Sequence, residues 1–229
     1  MNNNKSNFSL LLIFLFVIEI FYAQDWANLN KYKLENDNLG LPELNESRIV
    51  FMGNSITEGW GTIRPEFFNG KPYVNRGISG QTTPQMLLRF RADVINLKPK
   101  VVIILAGTND IAGNTGPMTL KMIMNNIISM SELAKANNIE VIISSILPAY
   151  DYPWKPGLKP HEKIPALNAL LKNYTEDHGI VYLDYFSSMV DDKNGLKNEY
   201  GADGVHPNAE GYKIMEVLVE KAIAEVLSQ

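Results

Sequence analysis

Three residues in this chain have the types and spacing that acyl transfer needs: a serine at 55, and an aspartate and a histidine three residues apart at 203 and 206. Ser55 lies in Gly53-Asn54-Ser55-Ile56-Thr57, directly after the apolar run 49–52. Taken alone, a serine between a strand and a helix is most simply an N-cap, a place serines fill often. The segment Ala202-Asp203-Gly204-Val205-His206-Pro207 shifts that reading. A carboxylate three residues before an imidazole in a loop can accept from Nδ1 and leave Nε2 free, and a general base for a hydroxyl needs that free nitrogen. The imidazole must be uncharged to take the proton, so activity is expected to fall in acid. The two other histidines suit the task less well. His178 precedes Gly179 and reads as the last residue of a helix before a glycine cap. His161 lies in a proline-rich loop with no evident partner.

An activated serine also needs donors aimed at the oxygen that becomes negative in the tetrahedral intermediate, and losing one such donor typically costs about 10²–10³ in rate. Two candidates stand out. NRGISGQTT places Gly80 in a turn after a strand, where the missing Cβ lets a backbone N–H approach a bound oxygen. LAGTND places the Asn109 side-chain amide after another strand. Separately, Gly80 is explained by a turn and Asn109 by a loop hydrogen bond. Their occurrence at successive strand ends, with the serine first and Asp-x-x-His last, favours a joint role.

These residues must be brought together by the elements between them. Short apolar runs recur at 49–52, 73–74, 101–105, 141–146 and 180–183, and helical patterns separate most of them. Such alternation indicates parallel strands joined by crossover helices. VVIILAG and VIISSIL are apolar on both faces, as strands between two helix layers should be. One intervening helix is read with a stripe of Leu87, Phe90, Arg91 and Val94, and the last with Tyr212, Met215, Leu218 and Val219, capped by Asn208. The expected architecture is α/β, a three-layer α/β/α sandwich with about five parallel strands. Ligands of such sheets bind beyond the carboxyl ends of the strands, which is where Ser55, Gly80, Asn109, Asp203 and His206 would all lie.

Composition narrows the class. The 229 residues are 45% hydrophobic and 20% charged, with no internal repeat and no Gly-, Ser- or Pro-rich linker, which fits one globular domain over 24–229. A net charge of -4 without any basic block argues against nucleic acid or an anionic membrane as partner. The absence of cysteine excludes disulfides, thiolate catalysis, Cys-ligated zinc and a lipidated cysteine anchor. Residues 1–23 carry a lysine, an apolar run from Phe8 to Ile18 and a small residue, Ala23, which is the layout of a signal peptide. Export to the periplasm or medium is expected, with cleavage after Ala23 and no stable membrane insertion afterwards; an uncleaved anchor is the alternative, since Glu19 and the bulky Phe21 depart from the usual layout.

GNSIT, GISGQTT, GTND and DGVHP together resemble the ordered blocks of the SGNH hydrolases, also called GDSL esterases and lipases. The resemblance runs from about Arg48 to the C-terminus. It implies that Ser55 is the nucleophile, that the N–H groups of Ser55 and Gly80 and the Asn109 amide form the oxyanion hole, and that His206 is the base oriented by Asp203. It also implies a flavodoxin-like sheet and no metal or organic cofactor. One departure is visible: the usual Gly-Asp-Ser is here Gly-Asn-Ser, so Asn54 keeps the shape of the acid and loses its charge.

For the substrate, the segment PAYDYPWKPGLKPHEK should lie on the same rim, making Tyr150, Trp154 and His161 candidates to line the site, with loop packing as their alternative role. Aromatic side chains there suit sugar stacking, and no added apolar segment is evident to cover a long acyl chain. A short acyl ester, acetyl on a carbohydrate, is therefore expected, with a lysophospholipase or thioesterase as the alternative. From other classes, a metal-dependent phosphodiesterase would draw on Asp110, Asp184, Asp203 and His206, which lack a compact ligand spacing. A non-catalytic carbohydrate-binding protein would need no nucleophile. An α/β-hydrolase would need a G-x-S-x-G elbow, which the chain lacks.

Overall fold

The apolar runs form one parallel sheet. In the computed structural model, which describes residues 25–228, the strands are β1 (Ile49–Gly53), β2 (Tyr73–Gly77), β3 (Val101–Leu105), β4 (Glu140–Ser144) and β5 (Val181–Leu183), in the order β2-β1-β3-β4-β5. Every neighbouring pair is parallel, with Gly53 opposite both Gly77 and Leu105. The expected signal segment lies outside the described residues. Among those residues no helix is long and apolar enough to cross a membrane.

The helices are α1 (Lys33–Leu39), α2 (Ser55–Ile63), α3 (Pro65–Phe68), α4 (Thr83–Asp93), α5 (Thr108–Ile111), α6 (Leu120–Lys135), α7 (Pro160–His178), α8 (Phe186–Met189) and α9 (Ala209–Leu227). Alternate residues of each strand feed two separate cores, which is the sheet period of two applied to a two-sided sheet. Val50, Met52, Val102, Ile104, Val141 and Ile143 pack with α4, α6 and α7, while Ile49, Phe51, Val101, Ile103 and Ile142 pack with α2, α3 and α9. The three-layer α/β/α sandwich read from the sequence is therefore the fold.

Strand bounds differ from the apolar runs for physical reasons. β2 extends through Asn75 and Arg76, polar residues whose side chains find partners inside the protein. β4 stops at Ser144 although the chain stays buried through Ala149, because the Asn168 amide of α7 takes both backbone groups of Ile146, at 2.8 and 3.0 Å. Of the α4 stripe, Phe90 and Val94 are buried as read, but Leu87 and Arg91 are not at the centre of the inward face. Its buried face is Thr83, Met86, Arg89, Phe90 and Asp93, whereas Arg91 is exposed and Leu87 half-buried.

The order reverses at β1, which has β2 on one side and β3 on the other. Such a switch point leaves a crevice beyond the strand ends. β1 leads into Ser55 and β3 into Asn109, so two of the candidate residues flank that crevice.

Candidate active site

β1 ends at Gly53 and α2 begins at Ser55, leaving one residue for the turn. That residue, Asn54, caps α2 by accepting from the Ile56 N–H at 3.1 Å. The cap that Ser55 could have supplied is thus taken by its neighbour, and the loss of charge relative to an aspartate leaves that cap intact. The Ser55 hydroxyl instead lies 3.0 Å from His206 Nε2. The turn is packed hard against β2: a Cβ on Gly77 would fall 2.1 Å from the Glu58 backbone nitrogen and 2.7 Å from the Asn54 carbonyl.

His206 and Asp203 come from the loop before α9. His206 Nδ1 is 2.7 Å from Asp203 Oδ2. The other oxygen, Oδ1, accepts from the backbone N–H groups of Val205 at 2.9 Å and His206 at 2.8 Å. Partial burial raises the Asp203 pKa, but these hydrogen bonds outweigh it and hold the carboxyl below its ordinary value. The loop is anchored by Asn208, whose side chain caps α9 as expected by accepting from the N–H groups of Glu210 and Gly211. From α9, Tyr212 donates to the Ile56 carbonyl at 2.8 Å and stacks on Trp60, and Glu216 takes Arg64 in a two-pronged ion pair. Helix α9, which follows the histidine, is therefore bolted to α2, which starts at the serine.

Gly80 lies in the loop between β2 and α4 with φ +77°. A Cβ there would meet only Asn114 Nδ2 at 4.0 Å, so the position requires glycine for its backbone angle and has room to spare. Asn109, in the short helix α5 after β3, is buried and donates from Nδ2 to the Gln81 carbonyl at 3.0 Å. That bond uses one of the two amide hydrogens. Among the described residues, neither the Ser55 N–H nor the Gly80 N–H has a backbone acceptor.

The loop after β4 is divided in its placement. Trp154 is half-exposed, with its ring 5.9 Å from that of His206 and stacked at 5.2 Å on buried Tyr152. Tyr152 is itself fixed by Thr108, donating to its carbonyl at 3.0 Å. Tyr150 stacks on His161 at 4.6 Å and the His161 ring meets the Tyr150 carbonyl at 2.7 Å. His161 is not in a loop; it is the second residue of α7, because Pro160 starts that helix. His178 closes α7 before Gly179, as expected. The residues considered for a metal-dependent reaction are engaged apart. Asp110 is buried and accepts from the Thr83 N–H and hydroxyl, and Asp184 accepts from Ser187. Burial pushes the Asp110 carboxyl above its ordinary pKa despite the Thr83 bonds.

A flavodoxin-like sandwich with a serine after β1, a glycine after β2, an asparagine after β3 and Asp-x-x-His before the last helix defines the SGNH class of hydrolase. Residues 51–214 match the GDSL-like lipase/acylhydrolase family, and the chain belongs to that family, whose members act on esters. It is similar to a candidate acylhydrolase of Bacteroides fragilis, with 51% identity over 89% of this chain and 99% of that one and a TM-score of 0.87. It is also similar to a GDSL-like lipase of Bacteroides thetaiotaomicron, with 49% identity over 87% and 98% of the two chains and a TM-score of 0.85. Among curated proteins, an acetylxylan esterase of Xylanibacter ruminicola is 25% identical over 80% of this chain. The chain spans 32% and 44% of the lengths of the first two curated relatives it matches.

Proposed function

We propose that this protein is a serine esterase that removes short acyl groups, acetyl in the first place, from carbohydrate, through an acyl-enzyme on Ser55. The observation that carries the reading is the pair of contacts on His206, 3.0 Å to the Ser55 hydroxyl and 2.7 Å to Asp203. As His206 Nε2 takes the hydroxyl proton, Ser55 Oγ attacks the ester carbon. The carbonyl oxygen becomes negative facing the N–H groups of Ser55 and Gly80 and the remaining hydrogen of Asn109 Nδ2. Collapse expels the sugar hydroxyl, which takes the proton from His206. Water then loses a proton to the same nitrogen and attacks the acyl-enzyme, releasing the carboxylic acid and restoring Ser55. Asp203, ionised and oriented by two backbone N–H groups, favours the charged imidazole formed in each half.

The preference for a sugar ester is supported by Trp154, which presents a half-exposed ring beside His206 with its position fixed by Tyr152. An aromatic face is the surface on which a pyranose ring packs. The acetylxylan esterase among the relatives is in keeping with the acyl group. Export, from the layout of residues 1–23, would place such an enzyme where glycans are found.

The test is hydrolysis of p-nitrophenyl esters of increasing acyl length, followed by acetylated xylo-oligosaccharides, with wild type and Ser55→Ala. Turnover is expected to be highest with acetate and to disappear in Ser55→Ala. Trp154→Ala is expected to raise KM more for the glycan than for p-nitrophenyl acetate. A preference for acyl chains of about C8 or longer would point to a lysophospholipase or thioesterase instead, since each added methylene then contributes apolar burial.

A further inference from the structure

Arg89 of α4 is fully buried, which is uncommon for a charged side chain and requires partners for its donors. Its Nη1 meets Asp93 Oδ2 at 2.8 Å, an ion pair within the helix. The remaining bonds leave the helix and go to the rim of the sheet. Nη2 donates to the Gly53 carbonyl at 3.0 Å and to the Arg76 carbonyl at 2.9 Å, the ends of β1 and β2. Nε donates to the side-chain oxygen of Gln81. Gln81 is itself buried, and its amide nitrogen donates to the Ala27 carbonyl at 2.7 Å, so both ends of this side chain are held. The backbone carbonyl of the same Gln81 accepts from Asn109 Nδ2.

We infer that Arg89 and Gln81 are positioning residues for the oxyanion hole, clamping in one network the three loops that carry Ser55, Gly80 and Asn109. A buried ion pair by itself adds little net stability, since desolvation offsets most of its attraction. What this one does is different in kind. Gly53 is two residues from Ser55, Gln81 adjoins Gly80, and the Gln81 carbonyl fixes the rotation of the Asn109 amide. One planar guanidinium spans them with a rigid fork that a lysine ammonium does not reproduce. Donors that must already point at the developing charge gain their effect from being held before the reaction begins. The inference rests on the proposed acyl-transfer reading.

The test uses Gln81→Leu, which leaves the ion pair in place, and the double substitution Arg89→Met with Asp93→Asn, which removes both buried charges together. Kinetics on p-nitrophenyl acetate are read alongside thermal unfolding, each in the wild type and in an Asn109→Ala background. The expected result is a kcat lowered about tenfold to a hundredfold with KM changed far less, because the loss falls on the transition state. In the Asn109→Ala background, where no amide remains to be positioned, Gln81→Leu should cost much less than it does in the wild type, a coupling that a merely structural role would not produce. A folded Gln81→Leu with wild-type kcat would overturn the inference, as would a loss undiminished by Asn109→Ala, or failure of both substituted proteins to fold. Ser55→Ala separates the two levels: if it remains active the acyl-enzyme reading is wrong, whereas if it is inactive and Gln81→Leu is not impaired, only the clamp is wrong.

Discussion

Both oxygens of Asp203 are engaged: Oδ1 is shared by two backbone N–H groups, and Oδ2 faces Nδ1 of His206. Asp203→Asn would place an amide where at least one of those three donors needs an acceptor, and would favour the ring tautomer with its proton on the nitrogen facing Ser55. Steady-state kinetics should show kcat reduced by about 10³–10⁴ with little change in KM, the scale at which wrong-tautomer triads fail. The pair Asp203 and His206 was legible because both lie in one short loop, where a spacing of three is enough to bring carboxylate to ring. Ser55 was legible because it follows the apolar run of β1 by a single turn residue. Arg89 and Gln81 were not. Nothing local marks Arg89 as inward-facing, and besides Asp93 the partners that explain its burial, the carbonyls of Gly53 and Arg76 and the side chain of Gln81, come from outside its helix. The sequence reading put Arg91 on that stripe, a displacement that periodicity alone does not correct when the inward face carries Arg89 and Asp93.

At the scale of elements, the contact between the β1–α2 turn and the end of β2 is made by backbone on both sides. Gly77→Ala would set a methyl 2.1 Å from the Glu58 nitrogen, where no flexible side chain can yield. Overpacking of this sort costs about 1–3 kcal/mol and sometimes more. The variant should therefore unfold at a clearly lower temperature in a thermal melt, and its residual activity should suffer because Asn54 and Ser55 belong to the displaced turn. All five strands were visible as apolar runs because both faces of this sheet are covered. Their ends were less visible, since they depend on partners distant in sequence. The amide of Asn168 replaces the sheet for Ile146, and Arg76 remains in β2 because Asn36 and Glu35, from α1, meet its guanidinium.

At the scale of the molecule, three carboxylates among the described residues are held below their ordinary pKa. Glu46 is lowered chiefly by its hydrogen bond to Arg48. Glu58 is raised by burial, but the bonds from Lys31 and Ser79 outweigh this and leave it below its ordinary value, as the bonds from His206 and Val205 do for Asp203. A group whose folded pKa is depressed stabilises the fold fully above its unfolded value and ceases to do so as pH falls through the folded value. Asp110, raised by burial, acts in the opposite sense, so it is one group against three. Thermal midpoints should accordingly stay level from neutral pH down to about 5 and decline below about 4. A midpoint that rises steadily into acid would contradict this balance. The bolting of α9 to α2 through Tyr212, Trp60 and the Arg64–Glu216 pair has a consequence in time as well as space. Synthesis proceeds from the amino end, so the alcohol at 55 is made long before the ring at 206 and the helix that seats it. On the proposed reading Ser55 gains its base only once α9 has docked on α2, so a chain cut short before residue 203, lacking both Asp203 and His206, is expected to show no esterase activity on p-nitrophenyl acetate.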